Sequence, residues 1–224
     1  MNIPDGRRAL LVGATGMVGS KLLSRLVEHQ AFGAVTTLGR RAPDLNHESV
    51  THHVTDFSDS PRPMPTADVL FCCLGTTIKR AGSQKAFRAI DYELVVSIAN
   101  QAVENGTTSF FVVSSVGANP DSGNFYLKTK GEMEQTVAVL GFKRTGIVRP
   151  SLLLGTRQEV RPAEQLGQYA ARLINPVLPD WLARYRAVDA GTVANAMIGL
   201  DQSDFEGPRI VEGSEIQRLA GLWR

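Results

Sequence analysis

Ala9-Leu10-Leu11-Val12-Gly13-Ala14-Thr15-Gly16-Met17-Val18-Gly19 is the stretch on which the architecture of this chain turns. Four apolar residues without alternation read as a short strand covered on both faces. Gly13 ends that run. From Met17 to Glu28 the apolar residues Val18, Leu22, Leu23, Leu26 and Val27 then recur at helical spacing. A buried strand passing through a glycine-rich turn into a helix opens a βαβ unit.

Outward from this turn the alternation continues. Strands are expected at Ala34 to Leu38, Ser49 to Phe57, Ala67 to Leu74, Phe110 to Val113 and Thr145 to Val148. Helices are expected from Lys85 to Asn105 and from Phe125 to Leu140, with Gly106 and Gly141 just past their ends. Three prolines between Ser58 and Thr66 forbid regular structure there. Buried strands alternating with helices at this rhythm give a doubly wound α/β fold, a parallel sheet with right-handed crossovers. After the sixth strand the pattern gives helices at Pro162 to Ile174 and Val188 to Asp201, and a late strand near Arg209 to Val211. Residues 1–224 thus read as a single domain, with 156–186 as a lid over the carboxyl edge of the sheet, where ligands bind in such folds.

Composition sets the outer bounds. Of 224 residues 43% are hydrophobic and 21% charged, which excludes disordered, collagenous and coiled-coil classes. Lys+Arg number 24 against 22 Asp+Glu, a net charge of +2 that offers no basic excess for nucleic acid. No apolar run is long enough to span a membrane, and the first one lacks the shape of a signal peptide. The adjacent Cys72 and Cys73 cannot staple a secreted fold and read as core residues. A soluble, cytoplasmic protein acting on a small molecule is the expectation.

The glycine turn supplies the first candidate site. Gly13 permits the tight bend, Gly16 lets backbone approach a pyrophosphate, and Gly19 lets the helix pack closely on the sheet. The helix N-terminus offers N–H groups and a positive dipole end, so Gly13, Ala14, Thr15, Gly16, Met17 and Val18 are expected to line a dinucleotide. The spacing is GxxGxxG, and the same glycines would equally serve a plain strand–helix turn. At the end of the second strand stands Gly39-Arg40-Arg41, with no acid before Asp44. Two guanidinium groups suit a 2′-phosphate, so NADP(H) is the expected cofactor, against a solvated surface pair. Asp56-Phe57 closes the third strand, as an adenine contact or a strand-end cap. Gly75-Thr76-Thr77 ends the fourth, where the dinucleotide would pass close to the backbone.

Tyr126 and Lys130 stand four apart on the helix after the fifth strand and share one face. With four Tyr and six Lys in the chain, such a pairing at this place is rare by chance. A phenol is a poor acid–base group at neutral pH, and a neighbouring ammonium favours its ionised form. Tyr126 would pass a proton to a carbonyl oxygen as the cofactor delivers hydride to the carbon. Lys130 would also hold the nicotinamide ribose. Ser114 and Ser115 end the fifth strand on the same edge, either to orient the substrate, Ser115 foremost, or simply to bond backbone. Arg149 ends the sixth strand where a nicotinamide would lie. Gln165, Tyr169 and Trp181 read as pocket wall or core, and the four histidines show no metal-ligand geometry, so no metal is expected.

Together these residues resemble the short-chain dehydrogenase/reductase superfamily in its extended or atypical branch. More narrowly, Leu38-Gly39-Arg40-Arg41, Phe71-Cys72-Cys73-Leu74-Gly75-Thr76-Thr77, Asn124-Phe125-Tyr126-Leu127 and Arg157-Gln158-Glu159-Val160-Arg161-Pro162 resemble the Tat-interacting-protein-like oxidoreductases. The resemblance implies a Rossmann fold, NADPH binding, and Tyr126 as proton donor or acceptor beside Lys130. One departure is that extended members often carry their serine about where Val116 stands. Some atypical relatives are NADPH-sensing regulators, so a redox-sensing protein that docks a protein partner is the alternative to a reductase. A dinucleotide-dependent epimerase or dehydratase is a weaker third, since such enzymes usually carry a larger C-terminal region.

Overall fold

Residues 6–57, 64–154 and 187–223 are described by a computed structural model. Among them a seven-stranded parallel sheet has the order β3-β2-β1-β4-β5-β6-β9. Its strands are β1 (Arg7–Val12), β2 (Phe32–Gly39), β3 (Val50–Val54), β4 (Val69–Cys72), β5 (Ser109–Val113), β6 (Arg144–Arg149) and β9 (Gly207–Glu212). A two-residue pair, β7 (Leu153–Leu154) with β8 (Val188–Asp189), lies apart from it. This is the doubly wound order expected from the alternating pattern.

The middle positions of the central strands are apolar on both faces because both faces are covered. Leu11, Phe71 and Phe111 face a cluster that includes Leu22 and Leu26 of α1 (Met17–Glu28) and Met197 and Leu200 of α6 (Ala190–Gln202). Their neighbours Leu10, Leu70 and Phe110 face the other side, with Ile98 and Ala102 of α4 (Val95–Glu104) and Met133 and Val137 of α5 (Phe125–Ala138). All of these large strand side chains are fully buried. Each contributes roughly 1.5–3 kcal/mol by leaving water. At the amino edge the fully buried Asp201 of α6 takes Arg7 from β1 and Arg144 from β6, fixing that helix across the sheet.

Strand order reverses between β1 and β4, which opens a crevice at their carboxyl ends. The elements that follow β4 line it. They are α2 (Ile78–Ala81), α3 (Gln84–Arg88) and a π-helical segment (Ala89–Leu94) that runs into α4. Sequence periodicity expected one helix from Lys85 to Asn105. The observed helical run, Gln84 to Glu104, follows that expectation without a break, but its middle takes a wider π turn after Arg88, and a separate short helix, α2, precedes it and ends at Gly82 with φ +87.

The third strand is shorter than expected. Phe57 adopts φ +61 and carries the chain out of the sheet, and Val54 on this edge strand is 76% exposed. A last helix, α7 (Ser214–Ala220), was not anticipated; only Ile216 and Leu219 mark its buried face. The lid expected at 156–186 lies outside the described residues, as do the helix from Pro162 to Ile174 and Gln165, Tyr169 and Trp181. No helix among the described residues is long and apolar enough to cross a membrane.

Candidate functional site

The glycine turn is built on backbone contacts. Gly13 has φ +84, and a Cβ there would lie 2.6 Å from the carbonyl of Cys73, so β1 leaves the sheet against the backbone that follows β4. A Cβ on Gly19 would sit 2.1 Å from the Gly13 oxygen, which is why α1 can start so close to the turn. Packing within the protein therefore accounts for these two glycines. Gly16 differs: a Cβ there would meet the Gly13 oxygen at 3.2 Å and the Cys73 oxygen at 3.8 Å. Gly16 is the N-cap of α1, donates to the Gly13 carbonyl at 2.9 Å, and brings no side chain to the first turn, which holds no acidic residue. That end of the helix is chemically suited to an anion. Ala14 and Val18 are buried, Val18 within the core, while Thr15 is exposed.

Arg40 and Arg41 follow β2, both exposed and neither ion-paired among the described residues. Asp56 is exposed beyond β3. Phe57 is held in its strained conformation by its N–H, which donates to Thr55 Oγ1 at 3.1 Å, and by packing on the core beneath. The Thr55 N–H donates to the Gly39 carbonyl at 3.0 Å, so the ends of β2 and β3 are tied together.

At the end of β4, Gly75 and Thr77 are exposed, and the Thr76 N–H donates to Asp91 Oδ2 at 2.9 Å. Asp91 lies in the π segment and is completely buried. Its Oδ1 lies 2.7 Å from Lys130 Nζ, on a lysine side chain only 4% exposed. Burial alone would lower the Lys130 pKa, but the carboxylate of Asp91, followed by Tyr126, outweighs it and the shift is upward. Lys130 is thus a buried ammonium that stays charged through the neutral range. Tyr126, one turn earlier on α5, is partly exposed, and its ring lies 5.4 Å from that of Phe87 in α3. Gly131 lets α5 lie against the loop after β5, since a Cβ there would sit 2.3 Å from the backbone of Asn119 and Pro120.

Three expected residues are engaged elsewhere or only weakly held. Arg149 directs its guanidinium at Glu134 of α5, Nε at 3.0 Å from Oε1, and at Glu212 at 3.6 Å. The Ser114 hydroxyl also donates to the buried Glu134. Among the described residues the Ser115 hydroxyl reaches only the Val116 carbonyl, at 3.4 Å. The Cys72 thiol is pushed up to about 11 by burial, and that of Cys73 is raised for the same reason, so neither is a thiolate at neutral pH. Sequence reasoning missed Asp91 and Glu134. Asp91 carried a signal, since it stands four residues after Phe87 and four before Val95, on the apolar face of the expected helix.

A doubly wound sheet whose first strand–helix turn is made of close backbone contacts belongs to the dinucleotide-binding class. Residues 13–170 match the model of a family described as NAD(P)H-binding, and the chain belongs to this family. Protein FMP52, mitochondrial, of Candida albicans is 36% identical, over 94% of this chain and 96% of its own length. Protein HTATIP2 of Rattus norvegicus is 37% identical, over 87% of this chain and 81% of its own. The solved structure of MoeE5 in complex with UDP-glucuronic acid and NAD superposes with a TM-score of 0.71 at 16% identity, covering 96% of this chain and 81% of that one. That likeness shows the fold. The resemblance to atypical NAD(P)-binding oxidoreductases is borne out. The cytoplasmic expectation is corrected, because the FMP52 relatives from Candida albicans and several Aspergillus species are named mitochondrial.

Proposed function

We propose that the protein is an NADPH-dependent reductase of a small carbonyl-type substrate, with Tyr126 as proton donor. The observation that carries this reading is the buried, charged Lys130, 2.7 Å from Asp91 and one helical turn from Tyr126. A fixed buried ammonium beside a phenol is costly to build. Its use is to stabilise negative charge on the phenol oxygen as the proton leaves.

When bound, the reduced nicotinamide supplies hydride. The backbone at Gly13 to Val18 would hold the pyrophosphate, Arg40 and Arg41 the 2′-phosphate, and Asp56 with Phe57 the adenine end. Gly75, Thr76 and Thr77 would run alongside, with no bulky side chain at Gly75 to obstruct. Tyr126 gives its phenolic proton to the carbonyl oxygen as the carbon is reduced, leaving an alcohol, and solvent returns a proton to the phenolate. Ser115, whose hydroxyl has only a long bond to Val116, remains available to orient the substrate oxygen. Arg149 has no part in this scheme, since Glu134 and Glu212 hold it. The naming of the FMP52 relatives favours a mitochondrial setting for this chemistry, which cell fractionation checks.

The test is NADPH consumption against a panel of aldehydes and ketones by the parent protein and Tyr126→Phe, with cofactor binding measured in both. A rate lost in Tyr126→Phe with NADPH still bound supports the reductase. A rate that survives the substitution refutes it, and bound NADPH without turnover on any member favours the regulatory alternative.

A further inference from the structure

We propose that Asp91 is a positioning residue that couples the loop after β4 to Lys130, so that one buried carboxylate sets both the path available to the cofactor and the charge beside Tyr126. The proposal rests on the reductase reading for its consequence, and on geometry for its substance. Asp91 divides its two oxygens between two parts of the site. Oδ2 accepts from the Thr76 backbone N–H at 2.9 Å, and Oδ1 faces Lys130 Nζ at 2.7 Å. Asp91 is completely buried, so neither contact is traded for water. Gly75 belongs to the same arrangement, since a Cβ there would meet Asp91 Oδ1 at 3.5 Å.

The π segment is what delivers this carboxylate. It sits between α3 and α4, packs on α5, and carries Asp91 on a face otherwise given to the core residues Phe87, Val95 and Ile98. A π turn inside a helix often marks a functional position. A carboxylate at that depth is unfavourable unless paired, and one so paired is poorly replaced by any group lacking both its charge and its two acceptors.

Three groups act on Lys130 from the elements around it: Asp91 from the π segment, Tyr126 from its own helix and Cys72 from β4. Cys72 is a neutral thiol through the neutral range. Asp91, at 2.7 Å, is the strongest of the three in holding the Lys130 pKa up. Asp91→Asn keeps an acceptor for Thr76 and removes the charge. Desolvation then acts on Lys130 with less to oppose it, and its ammonium gives up its proton at lower pH than in the parent.

The experiment compares parent, Asp91→Asn and Asp91→Asn/Lys130→Met, using NADPH as the probe at pH 6 to 9. Parent affinity is expected to change less than threefold over this range. Asp91→Asn is expected to bind within threefold of parent at pH 6 and at least tenfold more weakly at pH 9, and the double variant to lose that pH dependence. Parallel affinity profiles for parent and Asp91→Asn overturn the proposal, as does a pH dependence that persists in the double variant. Melting temperatures without cofactor separate this from the reductase reading. The gap between parent and Asp91→Asn should be widest at pH 6 and narrow as pH rises through the lowered folded-state value of Lys130 in the variant. A gap independent of pH overturns the ion pair whatever the protein's activity proves to be.

Discussion

Gly19→Ala and Gly16→Ala differ by one methyl group each on neighbouring turns, yet they should fail in different ways. At Gly19 the new Cβ would stand 2.1 Å from the Gly13 oxygen, 2.8 Å from the Gly13 carbonyl carbon and 3.1 Å from the Ala14 Cα. All three are backbone atoms of the turn, with no flexible side chain to yield. Helix α1 must shift away from β1, at the upper end of the roughly 1–3 kcal/mol of an overpacked core. Replacing glycine by alanine inside a helix returns about 1 kcal/mol, leaving a net loss of about 2 kcal/mol. For a chain of this size that lowers Tm by about 4–8 °C. At Gly16 the nearest contact is 3.2 Å, and the loss in stability should stay below about 1 kcal/mol. There the methyl group intrudes where a pyrophosphate would approach, so NADPH affinity should fall at least tenfold. Thermal unfolding and fluorescence titration of the two variants give the result directly. Gly19→Ala with unchanged Tm, or Gly16→Ala with unchanged NADPH affinity, would refute the division of labour among the glycines.

Arg40→Ala with Arg41→Ala should weaken NADPH by roughly tenfold or more and leave NADH nearly unaffected, since two exposed guanidinium groups lose a phosphate partner; equal losses for both cofactors in parallel titrations would contradict the assignment. Glu134→Gln strands Arg149 with only Glu212 at 3.6 Å and should cost about 3 kcal/mol in urea unfolding, whereas Ser114→Ala should cost about 1 kcal/mol. The Cys72 thiol, pushed up to about 11 and buried, should resist alkylation in the folded protein at pH 8 and react promptly in urea; fast labelling of native protein would show that the β4 end opens. Lys130 has its pKa raised in the folded state, so its contribution to stability is fully present below the unfolded value and is lost as pH rises through the folded one. The melting temperature of the parent protein should therefore show no loss from this group between pH 7 and 9.

The parallel sheet was legible because its central strands carry uninterrupted apolar runs and α1 places Val18, Leu22, Leu23 and Leu26 on one face. The π turn inside the long helix was not legible. Its residues keep helical spacing throughout, and the π turn shows itself only as a carboxylate, Asp91, on an apolar face. The edge strand β3 was drawn too long because Val, Thr and Phe favour extended structure. The sequence does not disclose that Phe57 turns at φ +61. Arg149 was placed near the nicotinamide because it ends a strand at the right edge. Strand position fixes where a Cα lies, but the guanidinium follows Glu134, a partner 15 residues earlier on another element. Tyr126 and Lys130 were legible as a pair through spacing, whereas the partner that keeps Lys130 charged was visible only in three dimensions.

Hydride transfer to a carbonyl carbon, with Tyr126 supplying the proton, is most directly tested with NADPH deuterated at C4 of the nicotinamide. The parent protein is incubated with the best carbonyl compound from the panel, and the alcohol is analysed by mass spectrometry. One deuterium bound to carbon in the product, absent when Tyr126→Phe replaces the parent, is the expected result. NADPH consumed without deuterium in the alcohol, or the same labelled alcohol from Tyr126→Phe, would contradict it.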